Sequence, residues 1–209
     1  MKHWLLISWF AAVFPIPAHL SAQAASAAAK SAPPAAARVE HGDKLRVAGV
    51  PNFGKINEHL YRGAQPRAGG LPELKKLGVT TIVDLRGEDP SKSTWEQKHA
   101  ETLGIRFVHI PVSGWAPPTD AQVAEFLSIF RANPQERVFV HCRYGDDRTG
   151  VFVAVYRMAF DKFVSDEAVG EMYYFGFNGF WHPAMRAFIR DFPKRLATDP
   201  VLQAFKPSD

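Results

Sequence analysis

The chain has 209 residues, of which 46% are hydrophobic and 22% are charged, and its formal net charge is +4 at pH 7. A chain of this length can bury one sizeable core, so we expect a single folded domain. No block of lysine or arginine stands out, which argues against a nucleic-acid partner.

The first residues are typical of an export signal. Met1–His3 is a short positive segment, Trp4–Phe14 is apolar, and Ala22-Gln23-Ala24 offers a cleavage site. The apolar run is shorter than the ~20 residues that a membrane span requires. We therefore predict a signal peptide over residues 1–24, a periplasmic or secreted protein, and no stable membrane span in the mature form. The alternative is that this segment is kept as an anchor.

The next segment predicts a linker. Residues 22–39 are rich in alanine and include two consecutive prolines, Pro33 and Pro34, a composition that favours an extended or disordered chain. We place this linker at residues 25–45 and one folded domain at residues 46–200.

Within the domain, strand-like and helix-like segments alternate. Short β-branched or apolar runs predict strands at 59–62, 80–85, 105–111 and 138–141. Helical spacing and glycine stops predict helices at 71–77, 94–103, 120–131, 149–160, 165–175 and 183–196. Strands that alternate with helices indicate an α/β fold with a central, mostly parallel sheet flanked by helices. Ligands are then expected at the carboxyl ends of the strands.

The run from His141 to Gly150 lies at such a strand end. It contains Cys142, which is the only cysteine, and Arg148 six positions later, and an apolar helical segment follows at Val151–Phe160. A strand, a tight loop and a helix N-terminus together form an anion site. A cysteine in this position is favoured as the thiolate, and the planar fork of an arginine matches two phosphate oxygens. The pattern predicts phosphoryl transfer through a phosphocysteine.

The same residues carry a family resemblance. Cys142 to Arg148 reads C-x5-R within the longer pattern H-C-x-x-G-x-D-R-T-G, and Asn52–Pro66 is similar to the N-F-x-x-V/I…Y-R-S/G-x-x-P opening of atypical fungal, plant and bacterial members. The chain resembles the cysteine-dependent protein tyrosine and dual-specificity phosphatases, in particular their compact bacterial members. This resemblance implies a phosphatase fold whose active-site loop joins a central strand to a buried helix.

The roles of the loop residues follow from the pattern and the resemblance. Cys142 is the predicted nucleophile, and Arg148 is expected to bind the phosphoryl oxygens. The loop between them is expected to bind substrate through its amides, at Arg143, Tyr144, Gly145 and Asp146. In the family, a hydroxyl at the position of Thr149 hydrogen-bonds the cysteine sulfur, and His141 is expected to orient the loop from beneath. A helix-terminal threonine and a buried structural histidine are the simpler alternatives.

Two aspartates compete for the role of general acid. The resemblance implies an acid on a separate loop after the strand that ends at Pro111, and Asp120 is the only aspartate there. Asp120 also suits the first turn of a helix. Asp147 lies inside the loop from Cys142 to Arg148, the phosphate loop, where a bound dianion would raise the pKa of Asp147. We favour Asp120 narrowly.

The loop composition bears on the substrate. Asp146 and Asp147 would repel a densely phosphorylated ligand, which favours a phosphorylated protein, and phosphotyrosine in particular. A phosphorylated small molecule or lipid, such as an inositol phosphate or a phosphoinositide, is the alternative, and a phosphate-binding module without turnover is a third possibility. The eight histidines show no ligand spacing, so we predict neither a metal site nor a cofactor.

Overall fold

The computed structural model describes residues 40–207. The predicted signal peptide and most of the predicted linker fall outside these residues and stay predictions. The ordered structure begins before residue 46, because a short strand at Asp43–Lys44 pairs with the strand at Gly54–Lys55. Among residues 40–207, no helix is both long enough and apolar enough to cross a lipid bilayer.

Six strands form one mixed sheet. In chain order they are β1 (Asp43–Lys44), β2 (Gly54–Lys55), β3 (Leu60–Ala64), β4 (Thr81–Arg86), β5 (Arg106–Val112) and β6 (Val138–Cys142). Their order across the sheet is β1-β2-β3-β6-β4-β5. The pairs β3–β6, β6–β4 and β4–β5 are parallel, and β1–β2 and β2–β3 are antiparallel. The predicted α/β fold with a mostly parallel sheet is confirmed, and the antiparallel edge is an addition to it.

Six α-helices of residues 40–207 flank the sheet. They are α1 (Gly70–Lys76), α2 (Pro90–Thr102), α3 (Asp120–Ala132), α4 (Asp147–Phe160), α5 (Ser165–Tyr174) and α6 (Pro183–Thr198). Helix α2 begins four residues before its predicted start, because the Asp89 side chain accepts from the amide of Lys92 and Pro90 occupies the first turn. Helix α3 begins with a capping box between Thr119 and Gln122.

The central strand β6 is buried on both faces. Val138, Val140 and Cys142 belong to the larger hydrophobic cluster, which also contains residues of α3 to α6. Phe139 points the other way, into the smaller cluster with residues of α1 and α2. This alternation is the period of a strand. It places Cys142 on the face covered by α4 and His141 on the face covered by α2.

Candidate active site

The phosphate loop connects the end of β6 to the start of α4, as predicted. Gly145 has a φ of +76°, and a Cβ atom there would lie 2.4 Å from the amide nitrogen of Ala64. Only glycine accepts both the backbone angle and this close approach to β3. The Gly145 amide donates to the sulfur of Cys142 at 3.3 Å. The loop therefore turns the Gly145 amide toward the sulfur.

The sulfur opens into one pocket of about 450 Å³. Its lining residues come from the phosphate loop and from three other segments: Cys142, Arg143, Tyr144, Asp146, Asp147 and Arg148, together with Glu88, Gly114, Trp115 and His182. Arg143 packs over the ring of Tyr144 at 5.1 Å. The Asp146 side chain accepts from the amide of Asp147, so it caps α4. Of the predicted substrate-binding residues, Arg143, Tyr144 and Asp146 line this concave site, and Gly145 does not.

Arg148 reaches across the site to the ends of β4 and β5. Its guanidinium nitrogens donate to the two carboxylate oxygens of Glu88 at 2.6 and 2.9 Å. The hydrogen bond and charge of Arg148 hold the pKa of Glu88 down at about 2, against a smaller opposing effect of burial. Glu88 thereby fixes the direction of the Arg148 guanidinium. Glu88 was not among the site residues predicted from the sequence. The only sequence signal was its place just after a buried strand.

The structure separates the two candidate acids, and it contradicts our preference for Asp120. Asp120 forms a bidentate ion pair with Arg195 of α6, with distances of 2.9 and 2.6 Å, and it does not line the pocket. Its carboxylate is turned into the interface between α3 and α6, because Arg195 lies there. Asp147 lines the pocket instead.

The carboxylate of Asp147 is held by two contacts. It accepts from the amide of Asn178 at 3.0 Å, and it lies 3.2 Å from Nε2 of His182. Burial and the neighbouring Asp146 raise the pKa of Asp147, although Asn178, His182 and Arg148 oppose this. Trp115 lies over His182 with 5.3 Å between ring centroids. His182 is a second residue that the sequence reasoning missed, because no local motif marks it.

The expected hydrogen bond between Thr149 and the cysteine sulfur is absent. The Thr149 hydroxyl is buried and has no hydrogen-bond partner among residues 40–207. The sulfur of Cys142 accepts a hydrogen bond from the Gly145 amide instead. A role for Thr149 in thiolate release therefore stays a prediction.

His141 lies behind the loop in a buried network of charges. Its Nε2 is 2.8 Å from Glu96 of α2 and 4.0 Å from Asp84 of β4. Arg86 pairs with both carboxylates, at 2.8 Å from Asp84 and 2.7 Å from Glu96. Asp84, Glu96 and His141 could together offer ligands to a metal ion, but Arg86 already supplies a cation to both carboxylates. We interpret the network as structural ion pairs.

The effect of this network on His141 can be stated as a direction. Burial lowers the pKa of His141, but the charge and close approach of Glu96 and the charge of Asp84 outweigh it and raise the pKa above the ordinary value. The imidazolium is then favoured beneath the loop. The orienting role of His141 stays a prediction.

Comparisons with known proteins agree with the geometry. Residues 49–183 match the family model described as "DSP-PTPase phosphatase fused to NAD+ Kinase". The dual specificity protein phosphatase TpbA of Pseudomonas aeruginosa is 32% identical over 133 residues, which cover 60% of this chain and 55% of the relative. The putative tyrosine-protein phosphatase OCA1 of Mycosarcoma maydis is 28% identical over 109 residues, covering 51% and 69%. The chain thus spans about half the length of TpbA.

Solved structures show the same fold. The crystal structure of P. aeruginosa TpbA has a TM-score of 0.62 and 23% identity, and the match covers 79% of this chain and 96% of that one. The catalytic domain of the S. cerevisiae PP-IP phosphatase SIW14 has a TM-score of 0.60 and 21% identity, with coverage of 78% and 98%.

Proposed function

Because this chain belongs to the DSP-PTPase phosphatase family, we propose that it hydrolyses phosphomonoesters through a phosphocysteine, with phosphotyrosine as the favoured substrate. One observation carries the proposal. Cys142, Arg148 and Asp147 all line one pocket, and the Gly145 amide points at the sulfur of Cys142. These residues are the proposed nucleophile, the proposed anion-binding group and the proposed acid.

The proposed reaction has two steps. The sulfur of Cys142 attacks phosphorus, the S–P bond forms as the bond to the leaving oxygen breaks, and Asp147 gives its proton to that oxygen. Water then attacks phosphorus, the S–P bond breaks, and the proton of the water passes to Asp147. Arg148 and the loop amides bind the phosphoryl oxygens in both steps, where negative charge is concentrated. The raised pKa of Asp147 supports its role as the acid.

The walls of the pocket support an aromatic substrate. Trp115 and Tyr144 line it, and these residues are 73% and 60% exposed. Two exposed rings beside a phosphate site offer stacking surfaces to a phenyl ring, whereas the short side chain of phosphoserine would not reach them. The relative TpbA has been crystallised with phosphotyrosine, and SIW14 is described as a PP-IP phosphatase. An inositol phosphate is therefore the comparison substrate in any test.

The nucleophile is tested by Cys142→Ser. We expect the variant to lose all hydrolysis of para-nitrophenyl phosphate while it still binds vanadate, because the loop and Arg148 remain. The wild-type activity should survive EDTA. Residual turnover in the serine variant, or loss of activity in EDTA, would show that the mechanism is wrong. The substrate class is tested by kcat/KM for phosphotyrosine, phosphoserine, phosphoinositide and inositol phosphate substrates.

The acid is tested by Asp147→Asn, with Asp120→Asn as the matched control. Loss of a general acid should lower kcat by about 10²–10⁴ with a poor leaving group and much less with para-nitrophenol, which leaves without a proton. The basic limb of the pH–rate profile should flatten. Asp120→Asn should show neither effect. An equal loss with both leaving groups in the Asp147 variant would assign that carboxylate a structural role instead.

We also propose that the protein is exported. The support is the sequence of residues 1–24, which lie outside the described structure. N-terminal sequencing of periplasmic or secreted protein should begin near Ala25 to Ala28, and full-length protein confined to the cytosol would contradict the proposal.

A further inference from the structure

Arg62 of β3 is a fully buried cation that lies behind the phosphate loop. Its side chain is 0% exposed, and Nη2 donates to the carbonyl oxygen of Gly145. Its other two nitrogens, Nε and Nη1, have no hydrogen-bond partner among residues 40–207. Burial of a charge without a paired carboxylate is strongly unfavourable. A buried charge that is kept at such a cost is expected to have a function.

The other buried arginines of the described domain show what is unusual. Arg86 pairs with Asp84 and Glu96, Arg148 pairs with Glu88, and Arg157 pairs with Asp161 and Glu171. Arg62 has instead the ring of Phe175, whose centroid lies 4.1 Å from the guanidinium carbon. An aromatic face stabilises a cation, but less than a carboxylate does.

Three negatively charged or ionisable groups face Arg62 from the surrounding elements. Burial lowers the pKa of Arg62 to about 10, and Glu171 of α5, Cys142 of β6 and Asp146 of the loop oppose this. Arg62 is therefore a cation at neutral pH. The oxygens of Glu171 are bonded to Arg157 and to the amide of Gly42.

Asp146 and Cys142 differ in what else they bind. The Asp146 carboxylate caps α4 by accepting from the amide of Asp147. Among the described residues, the sulfur of Cys142 accepts one hydrogen bond, from the amide of Gly145. Arg148, the other arginine whose charge interacts with Cys142, lines the pocket and is paired with Glu88.

The position of Arg62 follows from the sheet. Strands β3 and β6 are parallel neighbours, with Arg62 beside Val140 and Ala64 beside Cys142. The loop folds back onto β3 at Gly145, and its carbonyl accepts from Arg62 and, at 3.0 Å, from Nδ2 of Asn52. A cradle whose amides point inward must turn carbonyls outward, and buried carbonyls need donors.

We propose that Arg62 is a positioning residue for the reaction of Cys142: its buried charge stabilises the thiolate and the bound phosphate from behind the loop, and its bond to Gly145 holds the loop amides inward. The proposal rests on the proposed function of this site. It also predicts a cost, because the charge lowers the stability of the fold. Arg148 is the other cation whose charge interacts with Cys142.

The test separates charge from hydrogen bonding and from stability. Arg62→Gln keeps a donor for Gly145 but removes the charge, Arg62→Met removes both, and Asn52→Ala removes the other donor to the same carbonyl without changing any charge. We would measure the rate of Cys142 alkylation by iodoacetamide across a pH series, the dissociation constant of inorganic phosphate, and stability by urea denaturation.

In both Arg62 variants we expect alkylation at neutral pH to slow by about tenfold and to recover at alkaline pH, because a smaller fraction of the sulfur is thiolate. Phosphate should bind about tenfold more weakly. Asn52→Ala should stay within about threefold of the wild type in both assays. Arg62→Met should be as stable as the wild type or more stable, since an apolar side chain replaces an unpaired charge.

Two results would overturn the inference. Wild-type alkylation in Arg62→Gln would show that the charge is not used. Unfolding or a large stability loss in Arg62→Met would show that the arginine is structural. Alkylation and phosphate binding need no turnover, so a failure of the proposed phosphatase activity would be seen separately, as a wild-type protein that binds phosphate but hydrolyses no ester.

Discussion

Glu96→Gln tests the buried charge network behind the phosphate loop. Asp84, Glu96, Arg86 and His141 are all 2% exposed or less, and the two carboxylates balance the two cations only when His141 is protonated. Glu96 contacts both cations, His141 at 2.8 Å and Arg86 at 2.7 Å. The glutamine keeps the shape and a donor–acceptor group but leaves one excess positive charge in a buried site.

The expected loss can be estimated. Removal of one partner from a buried ion pair costs about 3–5 kcal/mol. Because glutamine retains some hydrogen bonding, we expect a loss at the lower end, about 3 kcal/mol, in the free energy of unfolding. Urea denaturation at several pH values measures this loss in the free energy of unfolding directly.

The pH dependence follows from the raised pKa of His141. A raised histidine pKa gives stability that is fully present below the unfolded-state value of about 6.5 and is lost as the pH rises through the folded-state pKa. Glu96→Gln removes the main cause of that shift. Its deficit should therefore be largest below about pH 6.5 and smaller at alkaline pH, where the pair with Arg86 accounts for what remains.

Glu101→Gln is the matched control, because Glu101 lies exposed on the same helix and bonds only to Gln97, at 2.9 Å. It should change stability by less than about 0.5 kcal/mol at every pH. A loss below about 1 kcal/mol in Glu96→Gln would refute the argument for a balanced network. A large loss that is constant with pH would show that His141 is not protonated.

Two further predictions concern the arginine clamp and the rejected acid. Arg148→Lys should lower kcat by about 10²-fold or more, nearly as much as Arg148→Ala. The reason is that a point charge cannot reproduce the planar guanidinium that Glu88 holds in place. If steady-state kinetics show that Arg148→Lys retains most of the wild-type kcat, Arg148 does not bind the phosphoryl oxygens in the proposed way. Asp120→Asn should lower stability by only about 1 kcal/mol, because its pair with Arg195 is partly exposed, and should leave kcat unchanged; a large kcat loss in a stable variant would return Asp120 to the active site.

Much of this protein could be predicted from its sequence, because the decisive residues are contiguous. The nucleophile, the clamp and the glycine turn occupy one run, and their geometry depends on a single strand, loop and helix. Cys142, Arg148 and Gly145 therefore lie where the pattern predicted. The alternating apolar runs likewise predicted the parallel strands β3 to β6, whereas β1 and β2 have two residues each and carry no readable period.

The remaining features required the tertiary structure. Asp120 and Asp147 are both reasonable acids in the sequence, and only Arg195, 75 positions beyond Asp120, decides between them. Glu88, Glu96 and His182 have no motif of their own and reach the site only because the sheet order brings their segments together. The sequence by itself located the predicted nucleophile, the predicted anion-binding arginine and the glycine turn, since these residues lie in one short run. The side chains that orient those residues, surround them with charge and support them come from distant parts of the chain. Long-range packing decides which they are, and no short sequence pattern contains that information.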